Sequence, residues 1–168
     1  SYMNNTIQVR TINNNFYYLK DKNKYKYITL FNSIKKYDNK IISKLYNILE
    51  KDGYVVILFM NSMNVYNIKS PFIIEDQCKH ENSEECTPSC NYYKIEHRKT
   101  IYEKKMFKEN IIHMFQKNNF HLISNKNFNE LSYYDFDQII YQNYYELFQF
   151  YETLIFKKKS VNENINEI

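Results

Sequence analysis

The chain has 168 residues, a length that one ordinary domain accounts for. Hydrophobic residues make up 43% of it, which is enough for a packed core. Its net charge of +4 is mild, whereas proteins that bind nucleic acids usually carry a stronger basic stripe. The only glycine is Gly53, which excludes a P-loop and a G-x-G-x-x-G loop, because both build their phosphate-binding turns from several glycines.

The first elements are predicted to alternate between strand and helix. Residues 7–12 alternate apolar and polar side chains, and residues 27–31 are β-branched and aromatic, so both read as strands. Asp38 is expected to cap the helix that follows. The apolar stripe of that helix consists of Ile41, Ile42, Leu45, Ile48 and Leu49. We expect Gly53 to end the helix in the left-handed conformation, and residues 54–60 to form a central strand covered on both faces. This order predicts a parallel β-α-β unit.

The second half of the chain continues the alternation. A helix is predicted to begin at Tyr102 and to end at the asparagine pair 118–119, because asparagine tolerates the left-handed conformation. Strands are predicted at residues 120–123 and 151–156, and a third helix is predicted to begin at Ser132.

These elements predict one domain over residues 3–159, followed by a flexible tail at 160–168. Residues 61–69 are polar and are predicted to form a loop. Residues 71–98 have the least regular pattern and are interpreted as an insertion that contains every cysteine of the chain.

The insertion carries the residues with the clearest chemistry, Cys78, His80, Cys86 and Cys90. Thiolate and imidazole groups are the ligands that Zn²⁺ prefers, and four of them complete a closed tetrahedral site. A zinc ion would stabilise a polar loop that has few apolar residues of its own. His97 is an alternative fourth ligand, and an iron–sulfur site is a further alternative. The competing interpretation is an insertion that binds no metal and keeps its cysteines reduced.

The order of elements resembles the class I S-adenosylmethionine-dependent methyltransferases. Residues 47–58 are similar to the family's segment in which a helix leads through "L-x-P-G-G" into a buried strand, and residues 96–116 resemble its last helix. Residues 117–120 stand where the family commonly has "A-G-F", and residues 151–157 resemble its closing antiparallel strand. The resemblance implies an α/β fold with a mostly parallel sheet, flanking helices, a C-terminal antiparallel hairpin and S-adenosylmethionine as cofactor.

The sequence also departs from this family, because the cofactor loop after the family's first strand has no counterpart here. Residues 7–12 would match the family's third strand, which places the cofactor-building half upstream or in another chain. The third alternative is a degenerate, non-catalytic relative, as in the anamorsin-type N-terminal domain. No catalytic residue is carried over. The polar residues that follow the predicted strands, Asn32, Ser33, Asn61 and Ser62, are expected to line the substrate side of the cleft.

Three functions follow from these features. The first is the substrate-side half of a methyltransferase, and the second is a non-catalytic interaction or scaffold domain with a metal-stabilised loop. The third is an RNA-associated module that uses lysine and tyrosine faces. The expected partner is another protein chain or an upstream domain, or RNA. No signal peptide and no membrane-spanning stretch is recognisable, so we expect an intracellular location, in the cytosol or an organelle matrix.

Overall fold

A computed structural model describes residues 24–31, 37–67, 73–77, 92–97, 99–131 and 147–160. Within these ranges the strands are β1 (Tyr25–Phe31), β2 (Leu49–Met60), β3 (Ile73–Gln77), β4 (Tyr92–His97), β5 (Lys99–Lys104), β6 (Phe120–Asn127) and β7 (Tyr151–Lys158). The helices are α1 (Asn39–Ile48), α2 (Ser62–Asn67) and α3 (Lys108–Lys117), with a 3₁₀ helix at Phe128–Leu131. The strands predicted at residues 27–31, 54–60, 120–123 and 151–156 are confirmed. The predicted strand at residues 7–12 and the helix predicted from Ser132 lie outside the described residues.

Four strands form the larger sheet, in the order β1-β2-β7-β6. β1 and β2 are parallel, whereas β7 is antiparallel to both β2 and β6. The closing antiparallel pair β6–β7 confirms the predicted C-terminal hairpin. The prediction of a mostly parallel sheet is wrong for the described strands, because the reversed strand β7 is inserted between β2 and β6.

The smaller sheet is antiparallel, in the order β3-β4-β5, and its first two strands lie in the region predicted to be irregular. In β4 the side chains of Tyr93 and Ile95 are buried and alternate with more exposed ones, which is a strand pattern too short to stand out in the sequence. Two further predictions are wrong. Residues 61–69 contain α2, and Tyr102 lies in β5, so that the predicted second helix begins only at Lys108.

Helix α1 begins as the sequence predicts. The Asp38 side chain accepts a hydrogen bond from the Ile41 amide at 2.9 Å, and the predicted apolar stripe is buried. The predicted end is wrong, because α1 ends at Ile48 and Gly53 already lies in β2. The left-handed residue is Asp52, with φ of 58°, and Gly53 has no positive φ. At the end of α3, Asn119 has φ of 62° and confirms the predicted asparagine stop.

Helices α1 and α3 pack on the same face of the larger sheet, where they form one core with Val55, Ile57 and Phe59 of β2. The ring of Phe115 stacks on that of Phe156 with 4.2 Å between the ring centroids. The residues of β2 that point to the opposite face are half-buried from Tyr54 to Leu58, so the expected coverage of both faces is only partly realised. Met60, at the end of β2, belongs to a second core together with Tyr93, Ile95, Leu147 and Phe150.

Candidate functional site

The carboxyl end of β2 is the place where an α/β sheet of this kind binds its ligands. Asn61 and Ser62 follow this strand directly, as predicted, and both are buried. The other two predicted site residues, Asn32 and Ser33, lie outside the described residues. The structure therefore tests half of the predicted substrate side.

Asn61 serves as the cap of α2. Its side-chain oxygen accepts a hydrogen bond from the Met63 amide at 3.2 Å, and its backbone oxygen accepts one from Asn64. Its side-chain amide donates a hydrogen bond to Glu152 Oε1 at 3.0 Å. Both polar ends of the Asn61 side chain are therefore occupied by the protein itself.

Ser62 joins the end of β2 to the segment before α3. Its hydroxyl oxygen accepts a hydrogen bond from the Met106 amide at 2.9 Å, and its own amide donates one to the Met106 carbonyl at 2.8 Å. The reciprocal pair fixes the distance between β2 and the start of α3. With its side chain fully buried, Ser62 holds this edge together and does not face a ligand.

The centre of this edge is the carboxylate of Glu152, whose side chain is 9% exposed. Its Oε1 atom also accepts a hydrogen bond from the side-chain amide of Asn64 at 3.1 Å, and its Oε2 atom lies 3.4 Å from Lys108 Nζ. Oε2 has no hydrogen-bond partner among the described residues. We name Asn61, Ser62, Asn64, Lys108 and Glu152 the carboxyl-edge cluster.

The carboxyl-edge cluster is chemically a buried, paired carboxylate. A charge of this kind is retained in a protein interior only when donors surround it, and two amides and one ammonium do so here. The cluster can hold β2, α2, α3 and β7 in register, because its side chains bind one another or, in the case of Ser62, the Met106 amide. The described residues at this edge contain no glycine-rich turn.

The predicted metal ligands Cys78, His80, Cys86 and Cys90 lie outside the described residues, as does the side chain of His97. Within the described ranges no three His, Cys, Asp or Glu side chains come together to hold a metal ion. The zinc site therefore stays a prediction.

A depression of about 590 Å³ lies at the opposite end of the sheet. Its lining consists of Lys24, Tyr46, Leu49, Glu50, Lys51, Lys158, Lys159 and Ser160. Lys158 Nζ donates hydrogen bonds to the carbonyls of Tyr46 at 2.7 Å and Leu49 at 3.1 Å, and Lys24 Nζ donates to the carbonyl of Asn47. These carbonyls belong to the last turn of α1 and its cap, so the lysines stabilise a helix end. Burial, with a contribution from Lys24, lowers the pKa of Lys158.

Sequence reasoning missed Glu152, Asn64 and Lys108. Glu152 did carry a signal, since it is the one charged residue in the apolar run at the start of the predicted closing strand, and buried carboxylates require partners. Its partners could not be found in this way, because Asn61 lies 91 residues away along the chain.

No helix in the described part of the chain is both long enough and apolar enough to cross a membrane. No family model matches the sequence, and no curated protein does so either. The fold, in contrast, matches solved structures.

Three similar structures are methyltransferases, and each has a TM-score of 0.52 over 88% of this chain. They are the CcbJ methyltransferase from Streptomyces caelestis, with 9% sequence identity, an S-adenosylmethionine-dependent methyltransferase from Clostridium acetobutylicum, with 11%, and the glycopeptide N-methyltransferase MtfA complexed with sinefungin, with 9%. The match covers 62%, 63% and 58% of those chains, respectively. This chain thus spans about three fifths of the length of the structures it matches, and it has the methyltransferase-like α/β fold that they share.

Proposed function

We propose that this chain is the substrate-side half of an S-adenosylmethionine-dependent methyltransferase, which becomes active when a cofactor-binding half completes it. The observation that carries the proposal is the strand order β1-β2-β7-β6, with one parallel pair and a reversed strand inserted before the edge. Solved methyltransferases superimpose on nearly the whole chain, whereas this chain accounts for only about three fifths of them.

The residues of this chain would contribute position and shape to such an enzyme. The carboxyl-edge cluster fixes the end of β2 against β7 and the start of α3, at the edge where ligands of α/β sheets bind. Asn32 and Ser33, which follow β1, are the residues proposed to face the substrate from this chain. The methyl donor itself would be held by the completing half.

Calorimetric titration with S-adenosylmethionine tests this proposal. We expect residues 1–168 alone to give no binding heat, because in this proposal the completing half holds the methyl donor. The intact natural protein, with every segment or subunit that accompanies this chain, should bind the cofactor in a ratio of about one per chain. Absence of binding by that intact protein would reject the proposal.

A second candidate is a non-catalytic scaffold with the same fold and a metal-stabilised loop. It is favoured by Asn61 and Ser62, because the polar side-chain atoms of both residues form hydrogen bonds within the protein. It predicts about one zinc per chain, released when Cys86 is replaced by serine, together with a loss of structure in the insertion. A fully folded protein without metal would remove the metal-stabilised version of this candidate.

A further inference from the structure

The depression at the amino end of β2, opposite to the carboxyl-edge cluster, is strongly basic. Its lining contains four lysines and a single acidic residue, Glu50, which gives a net charge of +3. The whole chain carries a net charge of only +4. We name this concave surface the basic depression, and its lysines are Lys24, Lys51, Lys158 and Lys159.

The lysines of the basic depression form no salt bridge with a carboxylate in the described part of the chain. The adjacent Lys157, in contrast, lies 3.6 Å from a carboxylate oxygen of Asp52. Burial, followed by the like charge of Lys24, lowers the pKa of Lys158, as expected where cations meet without a counterion. The fold thus brings several cations together and provides no paired anion among its described side chains.

Two of the ammonium groups are held in place and keep donors that the described residues do not use. Lys158 Nζ donates hydrogen bonds to the carbonyls of Tyr46 and Leu49, and Lys24 Nζ donates one to that of Asn47. Because an ammonium group has three N–H donors, one donor of Lys158 and two of Lys24 have no acceptor within the described ranges. The partial negative charge of these carbonyls, at the end of α1, is offset by the ammonium groups bonded to them.

The frame of the basic depression is also ordered. The Lys159 amide donates a hydrogen bond to the Asn119 carbonyl at 3.0 Å, and the Lys159 carbonyl accepts one from the Tyr46 hydroxyl at 3.1 Å. The Tyr46 ring meets the ring of Phe120 edge-on, with 5.6 Å between the centroids, and its centre lies 4.1 Å from Lys158 Nζ. A site with groups held in this way loses less conformational entropy when a ligand binds.

We propose that the basic depression binds a small anion with two or more phosphate groups. Its volume of about 590 Å³ falls within the range of about 300–1,000 Å³ that is usual for small-molecule sites. Ammonium groups bind phosphate oxygens as point charges, and a concave arrangement lets one compact anion contact several of them at once. The inference does not depend on the proposed function, because the depression and the carboxyl-edge cluster lie at opposite ends of the sheet.

Single-stranded nucleic acid fits the basic depression less well. It binds to extended basic grooves in which exposed aromatic rings stack on its bases. Tyr46 provides the aromatic ring of the lining, and this ring is half-buried between Lys158 and Phe120. A compact phosphate ligand needs no such ring.

Calorimetric titration of residues 1–168 with inorganic triphosphate at low ionic strength tests the inference. We expect about one triphosphate to bind per chain, with an affinity that falls as sodium chloride is added, because salt screens exposed charges. The ligand should also raise the melting temperature, since it binds the folded state. A titration without binding heat and without a shift in the melting temperature would overturn the inference.

Lys51→Gln and Lys126→Gln form a matched pair of variants. Both lysines are exposed on strands of the larger sheet, but Lys51 lines the depression and Lys126 lies towards the other end of β6. Lys51→Gln should weaken triphosphate binding about tenfold, because a charged hydrogen-bond donor is lost, and Lys126→Gln should weaken it less than about twofold. Thermal unfolding without ligand should be unchanged in both. Equal losses of affinity would reveal attraction to the overall charge and overturn the proposal.

Further ligands define what the site recognises. Inorganic phosphate should bind about tenfold more weakly than triphosphate, because it reaches fewer ammonium groups, and equal affinities would contradict a site for several phosphates. Adenosine triphosphate should bind at least as tightly as triphosphate. Equal affinity would assign the site to the phosphates alone, and tighter binding would assign it to a nucleoside polyphosphate. Weaker binding of the nucleotide would exclude that source and leave inorganic polyphosphate as the ligand.

Two results would replace the occupant and overturn the inference. The first is tighter binding of a uridine oligonucleotide that Lys51→Gln and Lys126→Gln weaken equally, since that pattern indicates an extended RNA surface. The second is triphosphate binding that appears only when Glu163 and Glu167 are both replaced by glutamine. In that case the chain's own residues 161–168 would occupy the basic depression.

Discussion

Gly53 illustrates how a single residue can be required for a reason other than the one its sequence context suggests. A Cβ atom at this position would lie 2.9 Å from Leu49 Cδ2, 3.0 Å from the Glu50 carbonyl and 3.2 Å from the Lys26 carbonyl. Two of these three neighbours are backbone atoms, the Glu50 carbonyl of β2 itself and the Lys26 carbonyl of β1, and the second cannot move without shifting β1 against β2. The missing side chain thus allows the two parallel strands to approach each other.

Replacement of Gly53 by alanine should therefore destabilise the protein by about 1–3 kcal/mol through overpacking. Urea unfolding followed by circular dichroism measures the change. Ser43→Ala, on the exposed side of α1, is the control and should change the free energy of unfolding by less than about 0.5 kcal/mol. An unchanged stability of Gly53→Ala would show that β1 and β2 can separate freely at this point.

Glu152 is the residue on which the carboxyl-edge cluster depends. In Glu152→Gln, an NH₂ group replaces one of the two carboxylate oxygens. This hydrogen-bond donor then faces other donors, either the side-chain amides of Asn61 and Asn64 or the ammonium of Lys108. We expect a loss of about 1–3 kcal/mol in the free energy of unfolding, the cost of an unsatisfied buried group.

The matched control is Glu109→Gln, which removes an exposed carboxylate in the first turn of α3 and should cost less than about 1 kcal/mol. Chemical denaturation of both variants gives the comparison. If Glu152→Gln were as stable as Glu109→Gln, the cluster would not hold the edge of the sheet together.

The last turn of α1 is stabilised by a side chain from another element of the fold. Helix ends leave backbone carbonyls without partners, and Lys158 of β7 supplies two hydrogen bonds to the carbonyls of Tyr46 and Leu49. The ammonium also lies 4.1 Å from the centre of the Tyr46 ring. Lys158 thereby connects the closing strand to the first helix.

Lys158→Met should lower the free energy of unfolding by about 1 kcal/mol, because the lost hydrogen bonds outweigh the relief from burying a charge. Lys159→Met is the control, since Lys159 lines the same depression and its side chain makes no such bond within the described ranges.

Burial lowers the pKa of Lys158 in the folded protein. At pH values between this lowered pKa and the ordinary value of 10.5, Lys158 is therefore more protonated in the unfolded state than in the folded state. The stability of the natural protein should accordingly rise with pH in that window relative to Lys158→Met, and a constant difference would contradict this.

Elements could be predicted where local chemistry decides them. Asp38 and the apolar stripe of α1 gave a correct helix start, and the apolar run to Met60 gave a correct strand. The predicted end of α1 was wrong because Leu49 continues the apolar stripe of the helix although it already lies in β2. It is buried there, so the apolar pattern does not mark the point where the chain becomes extended. β4 was missed because only Tyr93 and Ile95 mark its buried face.

At the scale of the whole molecule, the sequence order alone could not give the sheet order. The insertion of β7 between β2 and β6 depends on pairings such as Val55 with Phe156, about a hundred residues apart, and only the family resemblance suggested an antiparallel end. The carboxyl-edge cluster depends on the same pairings. It forms only after β7 has placed Glu152 beside Asn61, which explains why local patterns did not reveal it.

The two cores of the protein can be tested for joint unfolding through two tyrosines. Tyr37 belongs to the core between α1, α3 and the larger sheet, and Tyr151 packs against the core that contains β4. Burial raises the pKa of Tyr37, and burial together with Glu103 raises the pKa of Tyr151. Above the ordinary tyrosine pKa of 10.0 the unfolded state loses these protons while the folded state keeps them.

Stability should consequently fall as the pH rises above 10, with each of these two tyrosines contributing about 1.4 kcal/mol per pH unit. Tyr37→Phe and Tyr151→Phe should each reduce the slope by about that amount. Urea unfolding at several alkaline pH values, followed by circular dichroism, measures it. If both sheets unfold together, the two variants change the slope of one common transition, because each core is lost in the same step. If Tyr151→Phe changed only a separate, earlier transition, the smaller sheet would unfold independently, and the carboxyl-edge cluster would not couple the two cores.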